Sequence, residues 1–184
     1  LIVPYLIPML EKAGAYVFTT RERDTQTNEL IVDNDASTKG SSYKEYTSAH
    51  YEWQRAEGNG FGNMKATYEN GENPFGMGSA RSIETAHKAD RASAEWTPDI
   101  PESGKYAVYV SYKTVDNSVS DAKYTVYHKG EITQFSVNQQ MGGGTWVYLG
   151  TFEFEKGLND YDKVVLTNES KESGVITADA VRFG

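Results

Sequence analysis

The feature that most constrains this chain is a seven-residue alternation in its second half. Tyr106, Val108, Val110 and Tyr112 share one parity, and Ala107, Tyr109 and Ser111 take the other. Successive side chains of a strand point to opposite faces, so a period of two predicts a strand with one buried face. The pattern recurs. Tyr124, Val126 and His128 alternate before a turn at Lys129-Gly130, and Phe135 and Val137 alternate before a glycine run. Phe152 and Phe154 alternate with Glu153 and Glu155, which assigns rings inward and carboxylates outward. Val164 and Leu166 open a further strand, and residues 175–183 supply the last.

Earlier segments extend the pattern. Leu30, Ile31 and Val32 read as a first strand, Tyr51 and Trp53 as one face of another, and residues 86–95 as a polar strand leading to Trp96. Residues 57–63 and 69–78 are loops by composition. About eight short strands spaced near ten residues, with no helix among them, predict a mainly β fold: an antiparallel β-sandwich of jelly-roll type. Seventeen Gly and thirteen Tyr against five Pro suit such a turn-rich protein.

The first thirty residues differ. Val3, Leu6, Leu10 and Ala13 recur at helical spacing, Gly14 fits a C-cap, and residues 15–20 form a continuous apolar strand. The predicted organisation is a helix–strand stump of a neighbouring α/β domain over residues 1–30, then a β module over 31–184. The opening apolar stretch lacks the basic start and small-residue cleavage site of a signal peptide and is too short to span a bilayer. With no initiator Met, the chain is expected to be cut from a longer polypeptide.

Composition removes several functions. A formal charge of −8 argues against nucleic acid, whose phosphates need clustered Lys and Arg, and against anionic membrane surfaces. The absence of cysteine removes disulfides, thiolate catalysis and Cys-based zinc sites. His50, His87 and His128 are far apart and show no metal-binding spacing. No Gly-x-Ser-x-Gly elbow is present. The Met141-Gly-Gly-Gly run precedes aromatic and β-branched residues, so it reads as a hairpin or edge loop and not as a phosphate cradle.

Residues 94–106, 142–152 and 176–183 together resemble the golvesin C-terminal-like domain, also called the xanthan-lyase carbohydrate-binding-like domain. The resemblance is close over about half the chain and looser over nearly everything after Val32. It implies a non-catalytic accessory β-sandwich of a large bacterial secreted or envelope protein, hence an extracytoplasmic location. Its implied partners are a polysaccharide or peptidoglycan and a host catalytic domain in the same polypeptide. Leu6, Leu10, Gly14, Val17, Thr20, Arg21 and Asp24 resemble a helix–strand–loop of zinc-dependent N-acetylmuramoyl-L-alanine amidases. The zinc ligands and base of that family would lie outside this segment, so no catalytic residue is assigned here.

Sugars stack their C–H faces on aromatic rings, so aromatics are the candidate ligand-binding residues. Trp53, flanked by loops, is expected as a surface ring, with Tyr51, Tyr109, Trp146 and Tyr148 beside it as ligand-binding candidates. Trp96 and Trp146 lie inside the resembling motifs, where core packing is the competing role; Trp96 is assigned to structure. Asp179 shares parity with Val175, Val181 and Phe183 and should point inward, where its carboxylate needs donors or a cation. It too is assigned a structural role. No metal site and no cofactor are predicted. Structural Ca²⁺ is the exception left open, at Asp33/Asn34/Asp35 or Asp160/Asp162, neither of which has EF-hand spacing. Asn168-Glu-Ser170 matches a glycosylation sequon to which no function is attached.

Overall fold

The computed structural model describes residues 29–61, 78–87 and 89–184. The helix and strand expected before Glu29, and most of the expected loop over 69–78, lie outside the described residues. Those described form strands and connections with no helix.

Two antiparallel sheets make the sandwich. The first contains β1 (Leu30–Asp33), β14 (Ala180–Phe183), β7 (Gly104–Val110) and β10 (Val147–Phe154), side by side in that order. The second is ordered β2 (Ser42–Tyr46), β5 (Ser93–Thr97), β12 (Lys163–Thr167), β8 (Ala122–His128) and β9 (Glu131–Val137). A three-stranded sheet, β13 (Val175–Ala178), β4 (Arg81–Glu84) and β3 (Gln54–Arg55), and a pair, β11 (Gly157–Leu158) with β6 (Asp99–Ile100), complete it. The sandwich is therefore as expected, but the strands number fourteen among the described residues instead of about eight. The surplus consists mostly of strands of two to five residues, such as β3, β6 and β11, too short to show an alternation.

Inward residues follow the predicted parity. Val108, Val110, Phe154 and Phe183 of the first sheet meet Trp96, Tyr124, Val126, Val164 and Leu166 of the second in one buried cluster. Each large side chain so buried stabilises the fold by about 1.5–3 kcal/mol. The Lys129-Gly130 turn has φ of 49° and 80°, the two positive values a type I′ hairpin requires. Tyr106 donates its hydroxyl to the Glu102 carbonyl at 2.8 Å and so fixes the corner leading into β7.

Two buried amides do work that no periodicity announces. Gln139 accepts from the Thr177 N–H at 2.9 Å and donates to the Thr177 carbonyl at 2.9 Å and the Tyr124 hydroxyl at 3.2 Å. Asn168 accepts from Ala92 N–H and donates to the Glu84 carbonyl. Both are fully buried, so the Asn168 side chain serves packing and is closed to a glycosylating enzyme. Such amides satisfy backbone groups where one strand has left its neighbour.

The register of β10 carries a bulge. Tyr148 stands opposite Tyr109, and Gly150, not Leu149, stands opposite Val108. One extra residue reverses side-chain parity beyond it. Tyr148 therefore points outward, although Phe152 and Phe154, of the same sequence parity, point inward. Gly150 also leaves room for Phe152, whose ring would lie 2.8 Å from an added Cβ.

Trp96→Ala is expected to destabilise the sandwich by about 3–5 kcal/mol through the cavity it leaves. Ile132→Ala, at a position 61% exposed on edge strand β9, should stay within about 0.5 kcal/mol. Urea denaturation midpoints of the two variants check the contrast.

Candidate binding face on the outer side of the four-stranded sheet

Three neighbouring strands bring one planar side chain each to the same outward row. Arg182 on β14 pairs in register with Tyr109 on β7, and Tyr109 pairs with Tyr148 on β10. Ile31 on β1 continues the row beside Arg182. The Tyr109 and Tyr148 ring centres are 5.2 Å apart with planes at 49°. The Arg182 guanidinium carbon lies 5.2 Å from the Tyr109 ring centre, within cation–π range. Arg182 Nε also stands 2.7 Å from the Glu29 carboxylate. Tyr148 is 56% exposed, and its hydroxyl shares a 2.8 Å hydrogen bond with Thr151 Oγ1. A strip of one exposed and one half-buried tyrosine ring ending in an ion pair offers stacking for sugar C–H groups and donors and acceptors for hydroxyls.

The structure thus joins two of the sequence-predicted rings and scatters the others. Trp53, expected as the surface ring, is corrected: it is only 6% exposed, packs in the core and donates its indole N–H to the Ser93 carbonyl at 3.0 Å. Its flanking loop composition gave no hint of this burial, since a loop that folds back over a sheet edge can bury a ring as well as a strand can. Residues 51–53 also form no strand; β3 begins only at Gln54. Tyr51 is half-buried and lines a separate groove of about 470 Å³ with His50 and Glu84. Trp146 is half-buried and meets Phe61 edge-on at 5.5 Å. It closes the loop after β9, which is no hairpin: β9 and β10 belong to different sheets, and the loop crosses between their edges. Gly142 and Gly144, at φ of 75° and 71°, allow that crossing.

Trp96 and Asp179 are both fully buried. The Trp96 indole donates to the Asp179 carbonyl at 3.2 Å, and the Asp179 carboxylate accepts from the Phe61 N–H at 2.6 Å. Nearby, Asp33 accepts from the Asp35 N–H at 2.7 Å, and Ser79 donates its hydroxyl to Asp35 at 2.8 Å. Burial first, and then the neighbouring Asp179 and Asp35 carboxylates, push the Asp33 carboxyl up to about 8, against partial relief from backbone N–H donors. Asp162 is held differently: both its oxygens accept backbone N–H groups, from Lys129 at 2.7 Å and Glu155 at 2.8 Å. Among the described residues no group of three or more His, Asp or Glu is placed to hold a metal ion.

The histidines do not converge. His50 pairs with Asp90 at 2.6 Å, His87 contacts the Ser170 carbonyl at 3.0 Å, and His128 packs 4.8 Å from the Phe152 ring. Sequence reasoning overlooked Arg182 and Glu29. Arg182 was accessible to it, because Val181 and Phe183 point inward and place Arg182 outward. Glu29 was not, because nothing local ties it to a residue more than 150 positions away.

Fold and face together define the class: an antiparallel β-sandwich module with an aromatic strip on one outer sheet face. The chain belongs to the Golvesin C-terminal domain family, whose model matches residues 30–184. It is 34% identical over 93 residues to xanthan lyase of Bacillus sp. (strain GL1), an alignment spanning 50% of this chain and 10% of that protein. The structure of Paenibacillus xanthan lyase matches 85% of this chain and 13% of its own, with a TM-score of 0.59 and 25% identity. The C-terminal CBM6 of LamC from Zobellia galactanivorans matches 77% of this chain and 98% of its own, at a TM-score of 0.43 and 12% identity, too distant to carry an argument. The chain spans only about a tenth of the xanthan lyases it matches.

Because Asp33 binds its proton more tightly folded than unfolded, the folded state holds the extra proton between about pH 4 and pH 8. Its contribution to stability is therefore full below about pH 4 and falls by up to about 1.4 kcal/mol per pH unit as pH rises through that window. Asp33→Asn keeps the acceptor for Asp35 N–H and abolishes the slope. Denaturation curves from about pH 4 to pH 8 should show the variant gaining on the wild type as pH rises; parallel curves would show that Asp33 titrates normally.

Proposed function

We propose that this sandwich is a non-catalytic accessory module of a larger extracytoplasmic protein and that it binds glycan on the Tyr109–Tyr148 face. The observation that carries the reading is the outward tyrosine pair in register on adjacent strands, Tyr148 exposed and Tyr109 half-buried, flanked by Arg182 and Glu29. A ring on the outer face of a sheet that already has a filled core adds nothing to that core, so its exposed surface is available to a ligand. Family membership and the relatives named for xanthan support a glycan context. Peptidoglycan is the other polymer to consider.

A second reading has its own observation. Leu30 pairs with Phe183, and the Gly184 N–H donates to the Ala107 carbonyl, so the two ends of the described sandwich lie side by side. Adjacent ends suit a module inserted into a host domain. On this reading the host is a cell-wall-degrading enzyme, an N-acetylmuramoyl-L-alanine amidase or a polysaccharide lyase, whose catalytic residues lie outside this chain, and the sandwich is a scaffold.

Calorimetric titration with soluble neutral polysaccharides, acidic polysaccharides and peptidoglycan fragments separates the readings. Calorimetry is preferable to tryptophan fluorescence because Trp53 and Trp96 are buried and Trp146 stands outside the tyrosine row. Saturable binding that weakens about tenfold or more in Tyr148→Ala, with the melting temperature unchanged, is the expected result. A flat response across the panel would leave the scaffold reading.

A further inference from the structure

We infer that the strip of Tyr148, Tyr109 and Arg182 takes a single, twisted chain of uncharged sugar rings, and that Glu29 is the residue that turns acidic sugars away. The inference rests on the glycan reading above and names the class of glycan.

The geometry of the rings sets the shape of the ligand. Tyr109 and Tyr148 are 5.2 Å apart but inclined at 49°. A flat crystalline polymer surface, like a planar heterocycle, can lie on one of these rings but not on both. Two successive sugars of one chain can meet both, one on the exposed Tyr148 ring and the next on the half-buried Tyr109 and the Arg182 guanidinium stacked on it, because each linkage lets a ring turn relative to the last. The three side chains stand on adjacent strands, β14, β7 and β10. Neighbouring strands are spaced about 4.8 Å apart, so the strip runs across the strands with room for two or three sugars. The bulge that turns Tyr148 outward is what completes it.

The charges set its chemistry. Arg182 is the cation of the strip, stacked on Tyr109 and held 2.7 Å from Glu29. Glu29 compensates that charge at Nε, and a guanidinium carries five N–H donors, enough to serve hydroxyls as well. Elsewhere on the same face Lys105 stands in register with Glu153, which Lys129 of the β8–β9 turn in the other sheet also approaches at 3.6 Å. A uronate docking beside Arg182 must displace or adjoin the Glu29 carboxylate, on a chain already carrying −8. A neutral ring meets no such penalty.

The test uses the full chain and the variant Glu29→Gln, which keeps the side-chain shape and an acceptor for Arg182 but removes the negative charge. Calorimetry is run with soluble neutral hexasaccharides of glucose, xylose and mannose, and with oligogalacturonate of matched length. Retention on microcrystalline cellulose is measured in parallel. The wild type should bind at least one neutral probe about tenfold more tightly than oligogalacturonate. Glu29→Gln should gain about tenfold for oligogalacturonate, a gain that added salt removes, while neutral binding changes less than about threefold. Oligogalacturonate bound as tightly as the neutral probes by the wild type, or no gain in Glu29→Gln, would overturn the role of Glu29 while leaving the glycan reading intact. Retention on microcrystalline cellulose above that of Tyr148→Ala would overturn the single-chain assignment. No binding to any soluble probe, including the polysaccharides and peptidoglycan fragments, would remove the glycan reading and this inference with it.

Discussion

Residues 175–183 form the joint on which the rest of the structure depends. β13 pairs with β4 in the three-stranded sheet, and after a break at Asp179 the same run continues as β14 between β1 and β7. At the break the Asp179 carbonyl receives the Trp96 indole from the opposite sheet and the Asn34 N–H from the end of β1. Its carboxylate receives the Phe61 N–H from the loop after β3. One residue thus ties together both layers and the small sheet. A break in a ladder exposes backbone groups that need partners, and these contacts supply them where water does not reach.

The same joint explains the electrostatic character of this end of the sandwich. Asp179 is placed by the break and Asp33 by the end of β1, and both are buried. Burial, and then the negative charge of the neighbouring Asp179 and Asp35 carboxylates, raises the proton affinity of Asp33 against the partial relief of the Asp35 and Ala36 N–H donors. Asp162, with both oxygens holding N–H groups of two separate turns, shows the other way to bury a carboxylate.

The candidate binding face follows from ordinary sheet construction with one irregularity. Strands in register align side chains in rows across a sheet, so each of three strands contributes one planar group to the strip. A regular β10 would have sent Tyr148 to the same side as Phe152 and Phe154. The extra residue at Leu149 turns it to the outer face, beside Tyr109. The core retains its two phenylalanines, and the surface gains an aromatic pair.

Local alternation determined most of the strands and their inward faces. Tyr106, Val108 and Val110, Tyr124 and Val126, Val164 and Leu166, and Phe154 all lie where their parity puts them, because a pleated strand expresses period two wherever one face meets a core. The segments carrying the family resemblance lie in these same strands. The tertiary structure alone decided which strands are neighbours, that β10 is bulged, that Trp53 is covered and that Arg182 and Glu29 join the tyrosine row. Those outcomes depend on pairing between segments separated by tens to more than a hundred residues, and such pairing leaves no local period in a sequence. The sequence therefore determined which side chains face inward or outward along each regular strand, and the tertiary structure determined which outward side chains stand together.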